Sequence, residues 1–454
     1  MAKVKKSIRF VDIKKKLNKN RGSKEAQVLT RKIFLQTPRG MRDILFEEAD
    51  LFEKVEKVIK NLASFYNYNK IELPCVEYSD IFTHGIGQET DIVQKEMYWV
   101  KSKSDDDKKT LVLRPEGTAG VVRAYIQHGM FSLPQPVKLY YYGPMFRHDK
   151  PQLGRYRQLY QFGFEVIGDN SPIIDVELIF LGKIIFNTLK LKNFKLEINS
   201  IGCQECRKKY IKDLKKYYRT RKKKLCDTCR SRLENNPLRI LDCKEEQCEN
   251  IRMEAPNILD YLCVECNNHF KTVLSYLDEL KINYSLNPYL VRGLDYYTKT
   301  VWEISSEDNE NLGALMGGGR YDGLLKLFSG QDRPACGFAI GLDRVVEAIK
   351  SQKKEWKEEK KPEIFLVQVG ETAKKQSLEL LEELRANNIR VSFDLSRDSL
   401  RSQMKLADKL GAKYVLLLGQ TEVLRNEIIL RDMQSGLQEN IPLNKLIKML
   451  KTKI

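Results

Sequence analysis

Eight cysteines fall in four close pairs between positions 203 and 266: Cys203/Cys206, Cys226/Cys229, Cys243/Cys248 and Cys263/Cys266. Three pairs are C-x-x-C and one has four residues between its members. Disulfide frameworks of this density belong to short secreted chains. This chain has 454 residues, and its opening "MAKVKKSIRFVDIKKKLNKN" lacks the apolar core of a secretory signal. Reduced thiols at such spacing favour a tetrahedral structural Zn²⁺, because one turn presents two thiolates to one ion. Eight thiols suffice for two four-cysteine sites, and Cys226, Cys229, Cys243 and Cys248 form a candidate ligand set. The alternative is a helical insert with reduced, half-buried cysteines. Cys75 and Cys336 stand alone among apolar residues and are expected in the core.

The length exceeds what one core serves and predicts two or three domains. No apolar run approaches the ~20 residues that span a bilayer. The formal charge of +18 is concentrated at the start, where residues 1–32 carry twelve Lys and Arg against Asp12 and Glu25. Such a run is either a solvated arm or an arm for phosphate contacts. Acid-poor but lysine-dominated, it fits a mitochondrial presequence less well than the opening of a soluble cytoplasmic protein.

After the arm at 1–36, Leu51, Val55, Val58, Ile59 and Leu62 follow helical spacing. "KIELPCVEY", "VKLYYYGPMFRHD", "YRQLYQFGFEVIG" and "FKLEINS" read as strands, and "DVELIFLGKIIFNTL" as a helix. An antiparallel sheet with helices packed on it is expected over 37–200. Residues 201–286 form a lysine-rich, cysteine-paired helical insertion. The strand pattern resumes over 287–350 and closes on a helix from about Leu342. A charged linker at 351–362 leads to a small α/β domain at 363–454.

Polar groups crowd into apolar stretches at four places. "LVRGLDYYTKTVWEI" sets Arg292, Asp295, Tyr296 and Tyr297 against the strand-like Val301–Ile304. "PMFRHDKPQLGRYRQLYQFGFEVIG" places Arg147, His148, Lys150, Arg155 and Arg157 in one hairpin, which calls for an anion because arginine grips phosphate with two parallel hydrogen bonds. "GALMGGGRYDGLLKLF" lets backbone approach a ligand or another strand, although it matches neither common phosphate-loop spacing. "ACGFAIGLDRVVEAI" puts Arg344 at the start of an apolar helix, neutralised by a carboxylate or aimed at a ligand.

Together these segments resemble the histidyl-tRNA synthetases, class II aminoacyl-tRNA synthetases, over residues 37–445. "SFYNYNKIELPCVEY" is similar to motif 1 with Pro74 in the family's proline position, "FRHDKPQLGRYRQLYQFGFE" to motif 2, and "GFAIGLDR" to motif 3. "LVRGLDYYT" and "GGGRYDGL" resemble the two histidine-specific motifs. The resemblance implies an α+β fold: a six-stranded, mostly antiparallel catalytic sheet with a helical insertion, plus a C-terminal α/β anticodon-binding domain. It also implies a homodimer, ATP with Mg²⁺, and L-histidine and histidine tRNA as substrates.

On the same footing, Arg147 and Arg292 would grip the α-phosphate, and Arg344 the β/γ end beside Mg²⁺. Arg155 would meet ATP or the acceptor end of the tRNA. Glu116, Gly117 and Thr118 of "RPEGT", with Gln161, correspond to the α-ammonium pocket. Glu165 and Tyr297 correspond to the groups that read the imidazole nitrogens, with Tyr296 beside them. "RGLDYY" would then carry a cation and imidazole-reading phenols on one rigid strand, with Asp295 orienting a neighbour such as Arg292. Asp149 stands where the family usually has glutamate, and Lys150 replaces a frequent arginine. A regulatory paralogue of histidine biosynthesis would lack the C-terminal domain and lose catalytic arginines, whereas this chain keeps Arg147, Arg292, Arg344 and a complete α/β segment. A zinc-stabilised nucleic-acid-binding protein would show broken pocket residues.

Overall fold

The computed structural model describes residues 35–88, 90–101, 110–352 and 363–453. The basic run at 1–32 and most of the 351–362 segment lie outside these residues. The chain divides into two compact units, Met1–Ala348 and Ile349–Ile454.

The first unit is built on an eight-stranded sheet. Its inner six strands run, in spatial order, Val137–Phe146, Gln158–Ile167, Ala335–Gly341, Ala314–Arg320, Thr298–Ser306 and Phe194–Ser200. All five pairings among them are antiparallel. Two-residue strands, Asn69–Lys70 and Ser285–Leu286, pair in parallel at the two edges. The six strands implied by the resemblance are therefore present, with two short edges added.

Period-2 alternation gives this sheet two unlike faces. One face carries Tyr140, Tyr142, Phe162, Phe164 and Phe338, stacked at 4.6–6.4 Å between ring centroids. On the other face, register sets Gly163, Ala339, Gly317 and Glu303 side by side, with Glu165, Gly337 and Gly319 in the next row. That second face is low, so side chains and ligands can lie against backbone.

Arg320 belongs to the aromatic face and has no exposure at all. Its Nε donates to Asp175 of the helix Pro172–Thr188 at 2.7 Å, and its other nitrogens donate to the carbonyls of Asp169 and Ser171. This buried pair ties sheet to helix.

"KIELPCVEY" is not one strand. Pro74 and its neighbours leave the large sheet, and Val76–Tyr78 joins a separate three-stranded sheet with Leu111–Leu113 and Tyr98–Val100. Cys75, expected in the core, is exposed, whereas Cys336 is buried. The cysteine-rich segment is helical as expected, with helices Gln204–Arg219, Asp227–Asn235, Glu246–Arg252 and Val264–Glu279. Its apolar residues Tyr210, Leu214, Tyr218 and Leu233 belong to the same cluster as Tyr141, Tyr296 and Tyr297 of the sheet region. The insertion thus shares one continuous core with the sheet.

The second unit carries a five-stranded sheet in which Ile364–Gln368 is flanked in parallel by Val391–Phe393 at the edge and Tyr414–Leu418 at the centre. Two antiparallel strands, Glu427–Asp432 and Gln438–Pro442, extend it. Ile364, Leu366, Leu380, Leu384 and Leu446 belong to its own core.

Candidate active site

A cleft of about 230 Å³ opens over the glycine-lined face. Arg147, Arg155, Arg292 and Arg344 line it, and so do Glu116, Thr118, Gln161, Tyr296 and Tyr297. Residues from four separate stretches of sequence therefore meet in one place. Glu165 and Gly117 do not line the cleft: Glu165 is buried next to the lining residue Thr118, and Gly117 is the N-cap of the helix Thr118–Gln127.

The cations have few counter-charges. Arg344 donates to the carbonyls of Gly154 at 3.3 Å and Ala314 at 2.6 Å, and among the described residues it forms no ion pair with a carboxylate. Burial and repulsion from Arg155 and Arg147 push its guanidinium down to about 10. A cluster of arginines this weakly neutralised can accommodate a multiply charged anion. Arg147 is anchored by its Nε to the Pro115 carbonyl at 2.8 Å, which leaves its terminal nitrogens for a ligand. Arg155 sits 3.6 Å from Asp149, the residue at the family's glutamate position.

Arg292 is differently placed. Its guanidinium pairs with Glu303 and lies 5.7 Å from the Tyr297 ring centroid. Burial alone would weaken its charge, but Glu303 and the Tyr297 and Tyr296 phenols more than offset this and hold it above its ordinary range. It rests on Gly317, where a Cβ would stand well under 3.0 Å from three guanidinium atoms. The segment from Arg292 to Tyr297 is a turn rather than strand, because the ladder begins only at Thr298. Asp295 N donates to the Ile86 carbonyl at 2.9 Å, and both Asp295 carboxylate oxygens accept from Asn236 Nδ2 at 3.1 Å. Asp295 thus joins the turn to the helical insertion.

At the other end of the cleft the polar groups are held firmly. Glu116 accepts from the backbone N–H groups of Thr118 at 2.6 Å and Ala119 at 2.9 Å, using both oxygens to satisfy the start of the helix. Burial raises its carboxyl above the usual carboxylate range. Thr118 Oγ1 donates to one oxygen of Glu165 at 2.7 Å, and Tyr321 Oη donates to the other at 2.6 Å. Burial pushes Glu165 up to about 8 against those two hydrogen bonds. Gly337, opposite Glu165 in register, leaves the room its carboxylate occupies. Tyr141 Oη, Gln161 Oε1 and Arg292 Nε are buried without a hydrogen-bond partner among the described residues. All three belong to cleft residues, so a polar ligand bound there could complete their hydrogen bonds.

Sequence reading missed Tyr141, Glu303, Asp343 and Tyr321. Tyr321 directly follows the GGGR run, but no periodicity shows that its hydroxyl reaches Glu165. Asp343 receives Arg42 at 3.0 Å and the backbone N–H of Tyr160 at 2.9 Å, so it fixes the start of the helix that carries Arg344.

The insertion gathers its thiols into two groups: Cys203, Cys206, Cys263 and Cys266, and Cys226, Cys229, Cys243 and Cys248. Within each, all sulfur atoms lie within 4.8 Å of one another.

The histidyl-tRNA synthetase family profile matches residues 40–345, and an anticodon binding domain profile matches 363–453. A histidine–tRNA ligase from Acetivibrio thermocellus is 45% identical over 416 residues, covering 92% of this chain and 99% of its own. The crystal structure of apo histidyl-tRNA synthetase from S. aureus superposes with a TM-score of 0.75 at 37% identity, over 92% of this chain and 99% of that one. A Bacillus halodurans structure described as an ATP phosphoribosyltransferase regulatory subunit/histidyl-tRNA synthetase shares the fold, at 22% identity and a TM-score of 0.59.

Proposed function

The chain belongs to the histidyl-tRNA synthetase family, and from that premise we propose that it activates L-histidine with ATP and transfers it to the 3′ end of histidine tRNA. As a class II synthetase it uses ATP and Mg²⁺. In the first step a histidine carboxylate oxygen attacks the α-phosphorus and the bond to pyrophosphate breaks. In the second, a hydroxyl of the terminal adenosine attacks the activated carbonyl and AMP leaves.

Phosphoryl transfer asks the protein mainly for alignment and charge stabilisation. Arg147 and Arg292 stabilise the α-phosphate as negative charge develops, and Arg344 with Arg155 meets the polyphosphate end, where bound Mg²⁺ would supply further charge neutralisation. Gln161 and Glu116 hold the α-ammonium group. Tyr297, backed by the Thr118–Glu165–Tyr321 network, reads the imidazole. A substrate without ring nitrogens would leave those buried groups unpaired, a mismatch worth on the order of 10⁴ in selectivity. The observation that carries this reading is the convergence of four arginines with orphaned Gln161 and Tyr141 in one cleft.

The second unit would bind the anticodon. A cytoplasmic enzyme fits the described residues, in which no helix is long and apolar enough to cross a membrane. A homodimer fits the exposed Val76, Tyr78 and Trp99 of the three-stranded sheet. Cys226, Cys229, Cys243 and Cys248 would hold one structural Zn²⁺. ATP–pyrophosphate exchange with each of the twenty amino acids, without tRNA, tests the function. Exchange with histidine alone is expected; exchange with none of them would overturn it in favour of a regulatory paralogue.

A further inference from the structure

We propose that Cys203, Cys206, Cys263 and Cys266 hold a second tetrahedral Zn²⁺, and that this ion positions the turn Arg292–Tyr297 of the histidine pocket. The metal site stands on geometry alone; its link to the pocket rests on the histidine-activation reading above.

The four sulfur atoms converge from segments far apart in sequence and lie within 4.8 Å of one another. A Zn–S bond of about 2.3 Å gives a tetrahedron with edges of about 3.8 Å. Cys203 and Cys206 are 3.6 Å apart, and Cys226 and Cys243 of the other group are 3.8 Å apart. A disulfide would bring a pair to about 2.05 Å, and all eight thiols are free. The surroundings favour thiolates. Cys263 N donates to Cys206 Sγ at 3.1 Å, and Cys266 N to Cys263 Sγ at 3.5 Å. Backbone N–H groups pointed at sulfur stabilise negative charge there and orient the ligands. Cys206 and Cys266 are buried, so an ion here would be shielded from water on one side.

The first knuckle of this group touches the end of the pocket turn, and both knuckles reach Lys299 just after it. The first follows the strand Phe194–Ser200 and opens the helix Gln204–Arg219. In it, Gly202 O accepts from Lys299 N at 3.0 Å, Ile201 N donates to Lys299 O at 2.8 Å, and Arg207 Nη1 donates to the carbonyl of Tyr297 at 3.0 Å. The second knuckle contains Glu265, which pairs with Lys299 Nζ at 3.1 Å. Tyr297 is thus held by the first half of the cysteine group, and Lys299 by both. An ion joining the halves locks that grip, and without it the two knuckles can part. The other group reaches this turn through the far end of a helix rather than through its knuckles. Its helix supplies Asn236 to Asp295 from several residues beyond Cys229.

The test is metal content of the purified full chain by plasma mass spectrometry, together with steady-state exchange kinetics. Two zinc ions per chain are expected in the wild type, and one each in Cys203→Ser/Cys206→Ser and Cys226→Ser/Cys229→Ser. Histidine KM should rise about tenfold in the first variant with ATP KM within about twofold, since a shift of ~1 Å in a positioned group has effects of this size or larger. Histidine KM should stay within about twofold of wild type in the second. One zinc or none in the wild type overturns the second site. Loss of zinc from Cys203→Ser/Cys206→Ser with unchanged histidine KM overturns its positioning role. Should that variant fail to fold, Co²⁺ substitution of the wild type decides: two equivalents with four-thiolate charge-transfer absorption support the site, and one equivalent overturns it. Absence of histidine-dependent exchange in the wild type would defeat the functional reading while leaving the metal count intact, so the two failures are distinguishable.

Discussion

Replacing Gly317 by alanine should disable the enzyme while leaving it folded. Gly317 has no positive φ to lose, and the atoms a methyl group would strike are Nη1, Nη2 and Cζ of Arg292. These are the far end of a flexible side chain, so the fold can absorb the methyl by moving them, and stability should change by less than about 1 kcal/mol. Catalysis should not absorb it. Ordinary contact begins near 3.5 Å, so the guanidinium must retreat by roughly 1 Å from its place beside Glu303 and Tyr297. Displacement of that order costs about 10²-fold, equivalent to about 2.7 kcal/mol of barrier. The assay is histidine-dependent ATP–pyrophosphate exchange, with urea denaturation as the control for folding. Because the defect acts through Arg292, Gly317→Ala/Arg292→Ala should be no slower than Arg292→Ala alone. An activity within twofold of wild type, or full additivity in the double variant, would refute the reasoning.

Arg292→Ala itself should lower exchange by about 10²–10³-fold with little loss of stability, and near-normal turnover would remove its catalytic role. Glu165→Gln tests the raised carboxyl. Folded Glu165 titrates at about 8 and the free side chain at 4.5, so between those values the folded state holds a proton that the unfolded state has lost. Wild-type stability should therefore fall as pH rises through this window, by up to about 1.4 kcal/mol per unit. The glutamine variant lacks that slope, and urea midpoints at about pH 5 and about pH 8 should diverge in its favour; parallel curves would contradict the assignment. Asp175→Ala leaves Arg320 buried with backbone carbonyls and only the longer 3.5 Å contact to Asp322, which should cost about 3–5 kcal/mol. A loss below about 1 kcal/mol in urea would show that the ion pair is not what joins sheet to helix.

How much was legible in advance depended on how local the signal was. The strands at 137–146, 158–167 and 194–200, the helix at 172–188 and the helical insertion all declare themselves through short-range periodicity. "KIELPCVEY" misled because β propensity continues across Pro74 although the ladder does not. Cys75 misled because apolar neighbours in sequence need not surround a side chain in space. The turn at Arg292–Tyr297 looked like strand because its bulky residues carry strand propensity, while the contacts that bend it, Ile86 and Asn236, are distant in sequence.

The sequence by itself determined which residue types were available: eight paired thiols, a hairpin dense in cations, a glycine run beside an arginine, and motifs specific to one family. These are one-dimensional facts, and the period of a strand or a helix turns them into faces. Only the tertiary structure decided which faces meet. Register placed Gly317 beside Glu303 and Gly337 opposite Glu165, the turn laid Arg292 over Gly317, and crossing of distant segments delivered Tyr321 and Thr118 to one carboxylate. The eight thiols were likewise divided into two groups by where the helices of the insertion dock, so that Cys203 and Cys206 join Cys263 and Cys266 rather than their nearer neighbours. Spacing along a chain cannot encode such partners, because the free energy that selects them comes from burying a shared core whose members are scattered through the sequence.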